Sequence, residues 1–222
     1  DNHTFLDTHS TVARPPITEL RRADGSLLAG IEEADTSALN KLAWLPPEEF
    51  VVKAADGKTD LHGIIRKPWN FDPAKQYPVV EYIYGGPQIT TVPRSFQSSP
   101  IWQSHMQFAN ALTQLGFIVV TLDGRGTPGR SKAFQDVIYE NWGRYEIADH
   151  SAALSALFNV YSYMDRHRVG IFGTSYGGYY ATRALLQAPA LYKVGAASVP
   201  AAQLETILAG AIESYMGGRP QD

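Results

Sequence analysis

The segment Gly173-Thr174-Ser175-Tyr176-Gly177-Gly178 constrains this chain more than any other. It follows a strand-like run, Arg168-Val169-Gly170-Ile171-Phe172, and precedes a helix-like run from Tyr179 to Gln187. A strand, a sharp glycine-rich turn and a helix in that order form the setting in which a serine is projected from the end of a sheet as a nucleophile. Ser175 is the serine so placed. Glycines at 173, 177 and 178 leave room where strand and helix converge and tolerate the turn between them. The bare Gly-x-Ser-x-Gly pattern also arises in ordinary glycine-rich turns, and it is the flanking strand and helix that favour the nucleophile.

A serine hydroxyl needs a base beside it and donors aimed at the oxygen that gains charge. The backbone N–H of Tyr176, next to the nucleophile, offers one donor, and the N-terminus of the following helix directs positive dipole at the site. A second donor is sought at Tyr84-Gly85-Gly86-Pro87, at the end of another strand-like run. Either an N–H of that glycine turn or the phenol of Tyr84 would serve, and an aromatic that simply packs beneath a loop is the alternative reading of Tyr84. The last histidine in the sequence is His167, so no histidine follows Ser175 as the Ser, Asp, His order requires. The chain as written cannot complete its own triad, and by itself it is expected to be nearly inactive.

The apolar runs Pro78 to Tyr84 and Gly116 to Leu122 suit strands covered on both faces. Asp149 to Tyr161 has helical spacing, and with further helices at Trp102 to Leu115, Tyr179 to Gln187 and near Ala202 to Gly210 and a strand at Lys193 to Ser198 it completes an alternating βα order. A mostly parallel α/β sheet follows from it. A hairpin, Phe50 to Lys53 with Leu61 to Arg66, opens this part. Upstream, Thr4 to Thr8, Ile17 to Arg21 and Ser26 to Ile31 read as short strands that cannot build a core alone and continue a larger all-β body. The expected organisation is 1–36 closing strands, 37–48 connector, and 49–222 an α/β domain that is incomplete at its C-terminal end.

With 44% hydrophobic residues, 222 residues bury a sizeable core, and a formal charge of -3 offers no basic field for phosphate backbones. Nucleic acid is not an expected partner. The absence of cysteine excludes disulfides and thiolate metal sites. Histidines 3, 9, 62, 105, 150 and 167 lack ligand spacing, so they read as surface or structural, and neither metal nor cofactor is expected. Asp123-Gly124-Arg125-Gly126-Thr127-Pro128-Gly129-Arg130 lacks the ending of a phosphate loop and reads instead as a turn in which Asp123 and Arg125 tie backbone near the site. The polar start carries no signal-peptide pattern and no run reaches membrane-span length. Beginning without Met, the chain reads as cut from a longer one, and its compartment stays open between periplasmic or secreted and cytoplasmic.

Taken together, Glu81 to Pro87, Asp123 to Arg130, Gly173 to Tyr179 and Tyr215-Met216-Gly217-Gly218 resemble the prolyl oligopeptidase family of serine peptidases, in its dipeptidyl peptidase IV-like branch. The resemblance implies a β-propeller that limits access to an α/β-hydrolase domain, with a triad completed late in that domain. It implies Ser175 as nucleophile, Tyr84 donating its hydroxyl to the oxyanion, and Tyr176 donating its N–H while its ring shapes a proline pocket. The branch's pocket aromatics fall here on Leu204, Ile207 and Ala211, which depletes the stacking surface; Thr174 replaces a frequent Trp. The expected partners are a short peptide substrate and, through the hydrolase domain, a second copy of the chain. An esterase or acylpeptide hydrolase on the same fold, and a non-catalytic binding relative, are the rival functions.

Overall fold

The structure, a computed structural model, describes residues 3–96 and 103–202. Its N-terminal part is a three-stranded antiparallel meander, β1 (Thr4–His9), β2 (Ile17–Arg22) and β3 (Leu27–Glu33). The Asp24-Gly25 turn closes the second hairpin, with Gly25 at φ +86°. This sheet has almost no interior: every residue of β3 is exposed, and Phe5, Leu6, Leu27 and Ile31 face solvent. The connector contains one short helix, α1 (Ser37–Lys41).

The remainder is a six-stranded sheet in the order β4-β5-β7-β6-β8-β9, formed by β4 (Glu48–Lys53), β5 (Asp60–Arg66), β6 (Tyr77–Tyr82), β7 (Ile118–Asp123), β8 (Met164–Thr174) and β9 (Val194–Ser198). The β4–β5 hairpin and the β5–β7 pair are antiparallel, and β7, β6, β8 and β9 run parallel. The parallel strands are joined by α2 (Gln103–Gln114), α4 (Glu146–Val160) and α5 (Tyr176–Gln187), with a short α3 (Lys132–Gln135) between β7 and α4. The segment near Ala202 to Gly210, expected as a helix, lies outside the described residues apart from Ala202.

Both faces of the sheet are covered, which is why β6 and β7 read as unbroken apolar runs. On one face Leu61, Ile65, Val79, Ile118, Val120, Val169 and Ile171 pack with Leu154 and Leu157 of α4 and Ala181 and Ala184 of α5. On the other, Tyr82 and Val119 meet Ala109 of α2. The strand period of two alternates β6 between these faces and turns Glu81 inward beneath α4.

There Glu81 is fully buried, its Oε1 2.6 Å from His150 Nδ1 and its Oε2 accepting the Tyr192 hydroxyl at 2.5 Å. Burial opposes charge on His150, but the Glu81 carboxylate, with Asp149 and Asp123 beyond it, outweighs burial and raises the imidazole pKa above its ordinary 6.5. A raised folded-state pKa means that this stabilisation is whole below about 6.5. It is lost as pH climbs through the folded value. Urea titrations of the full-length protein at a series of pH values are expected to show that decline, and His150→Gln is expected to flatten it. An unchanged pH profile in the variant would rule out this assignment.

Candidate active site

Ser175 stands between the end of β8 and the first turn of α5, exposed, at φ 60° and ψ −117°. Few residues with a Cβ occupy such backbone geometry, which costs on the order of 1–3 kcal/mol and persists only where surroundings impose it. They do so here from three sides. The Ser175 N–H donates to the Ser198 carbonyl at 2.8 Å, and the Ser175 carbonyl accepts N–H bonds from Tyr179 at 3.1 Å and Ala201 at 3.2 Å.

The flanking glycines are there because backbone meets backbone. A Cβ on Gly173 would overlap the Gly177 carbonyl, and one on Gly177 would overlap the Ile83 carbonyl and lie 2.9 Å from Tyr84 Cα. At Gly178 it would lie 2.8 Å from the Ser198 carbonyl oxygen. The close approach at Gly177 brings the turn after β6 against α5. Tyr84 was expected at a strand end, yet β6 stops at Tyr82 and Tyr84 lies in the turn beyond it, because the chain bends away at Gly85 (φ 69°) and Gly86 (φ 88°). Ile83 still bonds through its N–H to the Phe172 carbonyl at 2.9 Å, so the turn starts from the level of β8's last residues.

Tyr84 is buried, its ring centroid 6.3 Å from that of Tyr176. The Tyr176 ring is packed by Trp142 at 4.8 Å, Tyr180 at 4.8 Å and Tyr179 at 5.8 Å. A Cβ on Gly86 would come within 2.7 Å of the same ring. Burial, above all, raises the pKa of both Tyr176 and Tyr180, so each is a neutral phenol across the physiological range. Leu204, Ile207 and Ala211 lie outside the described residues.

The Asp123 to Arg130 turn braces the neighbourhood. Asp123 accepts the Thr91 N–H and hydroxyl at 2.7 and 2.8 Å and the Val92 N–H at 3.2 Å, holding the chain that continues from the Tyr84 turn. Burial raises its pKa against the pull of those bonds. Arg125 grips buried Asp149 with two bonds, Nε at 2.8 Å and a terminal nitrogen at 2.7 Å, and reaches Asp56 at 3.0 Å. The loop is thereby fastened to α4 and to the β4–β5 hairpin.

Two arrangements escaped the sequence reading. Glu146, His150, Ala153, Leu154 and Leu157 share the buried side of α4. A carboxylate and an imidazole at core-facing helical positions were the available signal. The other, Asp7, His9 and Glu19, is the cluster of potential metal ligands among the described residues, with ligand atoms within 4.8 Å of one another. It depends on β1 and β2 pairing Asp7 opposite Glu19, which local sequence does not reveal. Arg21 already faces both carboxylates, at 3.4 and 2.6 Å.

A mostly parallel sheet whose strand β8 ends in a strained, exposed serine leading into a helix defines an α/β-hydrolase, represented here in part and preceded by the closing strands of a β-propeller. Residues 102–222 match the prolyl oligopeptidase family, and the chain belongs to that family. It is 36% identical over 179 residues to dipeptidyl peptidase 8 of Mus musculus and of Homo sapiens, a match covering 81% of this chain and 19% of each relative. Among solved structures, Porphyromonas gingivalis dipeptidyl peptidase 4 aligns with a TM-score of 0.76 and 29% identity, over 96% of this chain and 29% of that one. A Bacteroides ovatus protein aligns with a TM-score of 0.82 and 31% identity, over 97% and 30%. The chain thus spans about a fifth of the length of the curated relatives it matches. Among the described residues, no helix is long and apolar enough to cross a membrane.

Proposed function

We propose that the full-length protein is a serine peptidase that releases dipeptides from short peptides through an acyl-enzyme on Ser175. The observation that carries this reading is the exposed Ser175 at φ 60°, with the Tyr84 turn packed against Tyr176 beside it. The names of the dipeptidyl peptidase relatives support the substrate class. In this reading Ser175 Oγ attacks the scissile carbonyl carbon while its proton passes to a histidine base. The negative oxygen that forms is held by the Tyr84 hydroxyl and the Tyr176 N–H. The amine departs with the proton, and water then cleaves the ester.

His150 is occupied by Glu81, and His167 lies near the far end of β8 from Ser175. In this reading the base and its Asp partner come from the parent protein outside these 222 residues, since no histidine follows Ser175 in the sequence. Residues 1–36 close a propeller, 37–48 connect it, and 49–222 belong to the hydrolase domain. The pocket for the residue before the cut is assigned to Tyr176 and, from the family resemblance alone, to Leu204, Ile207 and Ala211, and the hydrolase domain pairs two copies of the chain.

The test is turnover by the full-length protein of glycyl-prolyl, alanyl-alanyl and short acyl ester chromogenic substrates, alongside labelling of Ser175 by a fluorophosphonate. Cleavage of the dipeptidyl amides with labelled Ser175 is expected. Cleavage of the ester alone would make the protein an esterase, and an unlabelled Ser175 would make it a binding relative.

A further inference from the structure

Behind the Tyr176 ring lies a chain of hydrogen bonds whose direction can be worked out from its end. Glu146 is 2% exposed, and its carboxylate accepts the Gly143 N–H at 3.3 Å, the Tyr145 N–H at 3.1 Å and the hydroxyl of Tyr180. Tyr180 is itself buried, 3.0 Å oxygen to oxygen from the Tyr176 hydroxyl. A phenol has one proton to give. Tyr180 spends its proton on Glu146, so Tyr176 must donate to Tyr180. The Tyr176 hydroxyl is thereby turned inward and engaged, and its backbone N–H stays at the start of α5 beside Ser175.

A second tie works on the same loop. Arg183 of α5 donates to the Gly143 carbonyl at 3.0 Å and to the Tyr179 hydroxyl at 2.5 Å. Gly143 has φ +78°, and a Cβ there would overlap the Arg183 guanidinium. The 141–146 loop is thus clasped to the first two turns of α5, with Glu146 as its inner anchor. Since the Gly86 turn rests on the Tyr176 ring, that ring is the shared contact between the turn bearing Tyr84 and the helix bearing the Tyr176 N–H.

From this geometry we infer that Glu146, acting through Tyr180, is a positioning residue: it fixes the Tyr176 ring and so sets both oxyanion donors relative to Ser175. The inference rests on the peptidase reading for the role of those donors. It assigns to the first residue of α4, absent from the motif around Ser175, control over how well the transition state is held.

The experiment compares wild type, Tyr176→Phe, Tyr180→Phe and the double variant in the full-length protein. Turnover of glycyl-prolyl-p-nitroanilide, the rate of fluorophosphonate labelling and the melting temperature are followed for each. Each phenylalanine keeps the ring and cuts the same relay, so each single change is expected to lower kcat and the labelling rate roughly 10- to 100-fold. The double variant is expected to fall no further than either single one, as members of one pathway do. Glu146→Gln, which keeps an acceptor oxygen and the side-chain shape, is expected to retain more activity than Glu146→Ala.

A Tyr180→Phe protein with a lowered melting temperature but wild-type kcat and labelling would overturn the relay, as would losses that multiply in the double variant. A wild type that labels but cleaves no dipeptidyl amide would overturn the peptidase reading alone. The labelling rates would then still decide the relay, because phosphonylation draws on the same donors.

Discussion

Ser175→Ala in the full-length protein is expected to lower kcat for a dipeptidyl amide by about 10⁶-fold, the scale on which losing the nucleophile of a serine peptidase acts. Steady-state rates with long incubations, and loss of fluorophosphonate labelling, measure it. Alanine keeps the Cβ, so the backbone at φ 60° bears the same strain and the change isolates the hydroxyl. Ser175→Gly separates the two further. It removes the hydroxyl and the Cβ together, so it is expected to be equally inactive yet more stable by about 1 kcal/mol. Retention of more than a hundredth of the activity by the alanine variant would place the nucleophile elsewhere.

Tyr84→Phe keeps the ring in its contact with Tyr176 and removes only the hydroxyl. If that hydroxyl meets the oxyanion, kcat falls about 10²- to 10³-fold, equivalent to roughly 2.7–4 kcal/mol, while KM changes little because the interaction exists only in the transition state. Stopped-flow and steady-state kinetics on one substrate separate the two parameters. A loss below about threefold would reduce Tyr84 to a packing aromatic, the alternative its sequence position allowed.

The strand, turn and helix around Ser175 were legible because three local signals agree there: an apolar run, glycines at the points of closest approach, and helical spacing afterwards. The sheet class followed from the same kind of agreement along residues 49–198. What escaped was non-local. The end of β6 at Tyr82, two residues short of the apolar run, depends on Gly85 and Gly86 adopting positive φ, which the apolar pattern does not encode. Glu146 and Tyr180 are 34 positions apart, and their bond exists only after α4 and α5 dock side by side. The Asp7, His9 and Glu19 cluster needs the β1–β2 register, and Leu204, Ile207 and Ala211 fall outside the described residues.

The strand order carries a consequence for synthesis. β6 lies between β7 and β8, and the turn that continues it carries Tyr84, whereas Ser175 follows about 90 residues later, at the end of β8. At the roughly 5–20 residues per second of translation, the Tyr84 turn leaves the ribosome about 5–20 s before its partner strand exists. During that interval one edge of β6 has only β7 to pair with, and its other edge is open to whatever strand arrives first. The nascent protein thus passes through a window in which a chaperone holding that edge would protect the correct parallel pairing, and in which slower translation would lengthen the exposure.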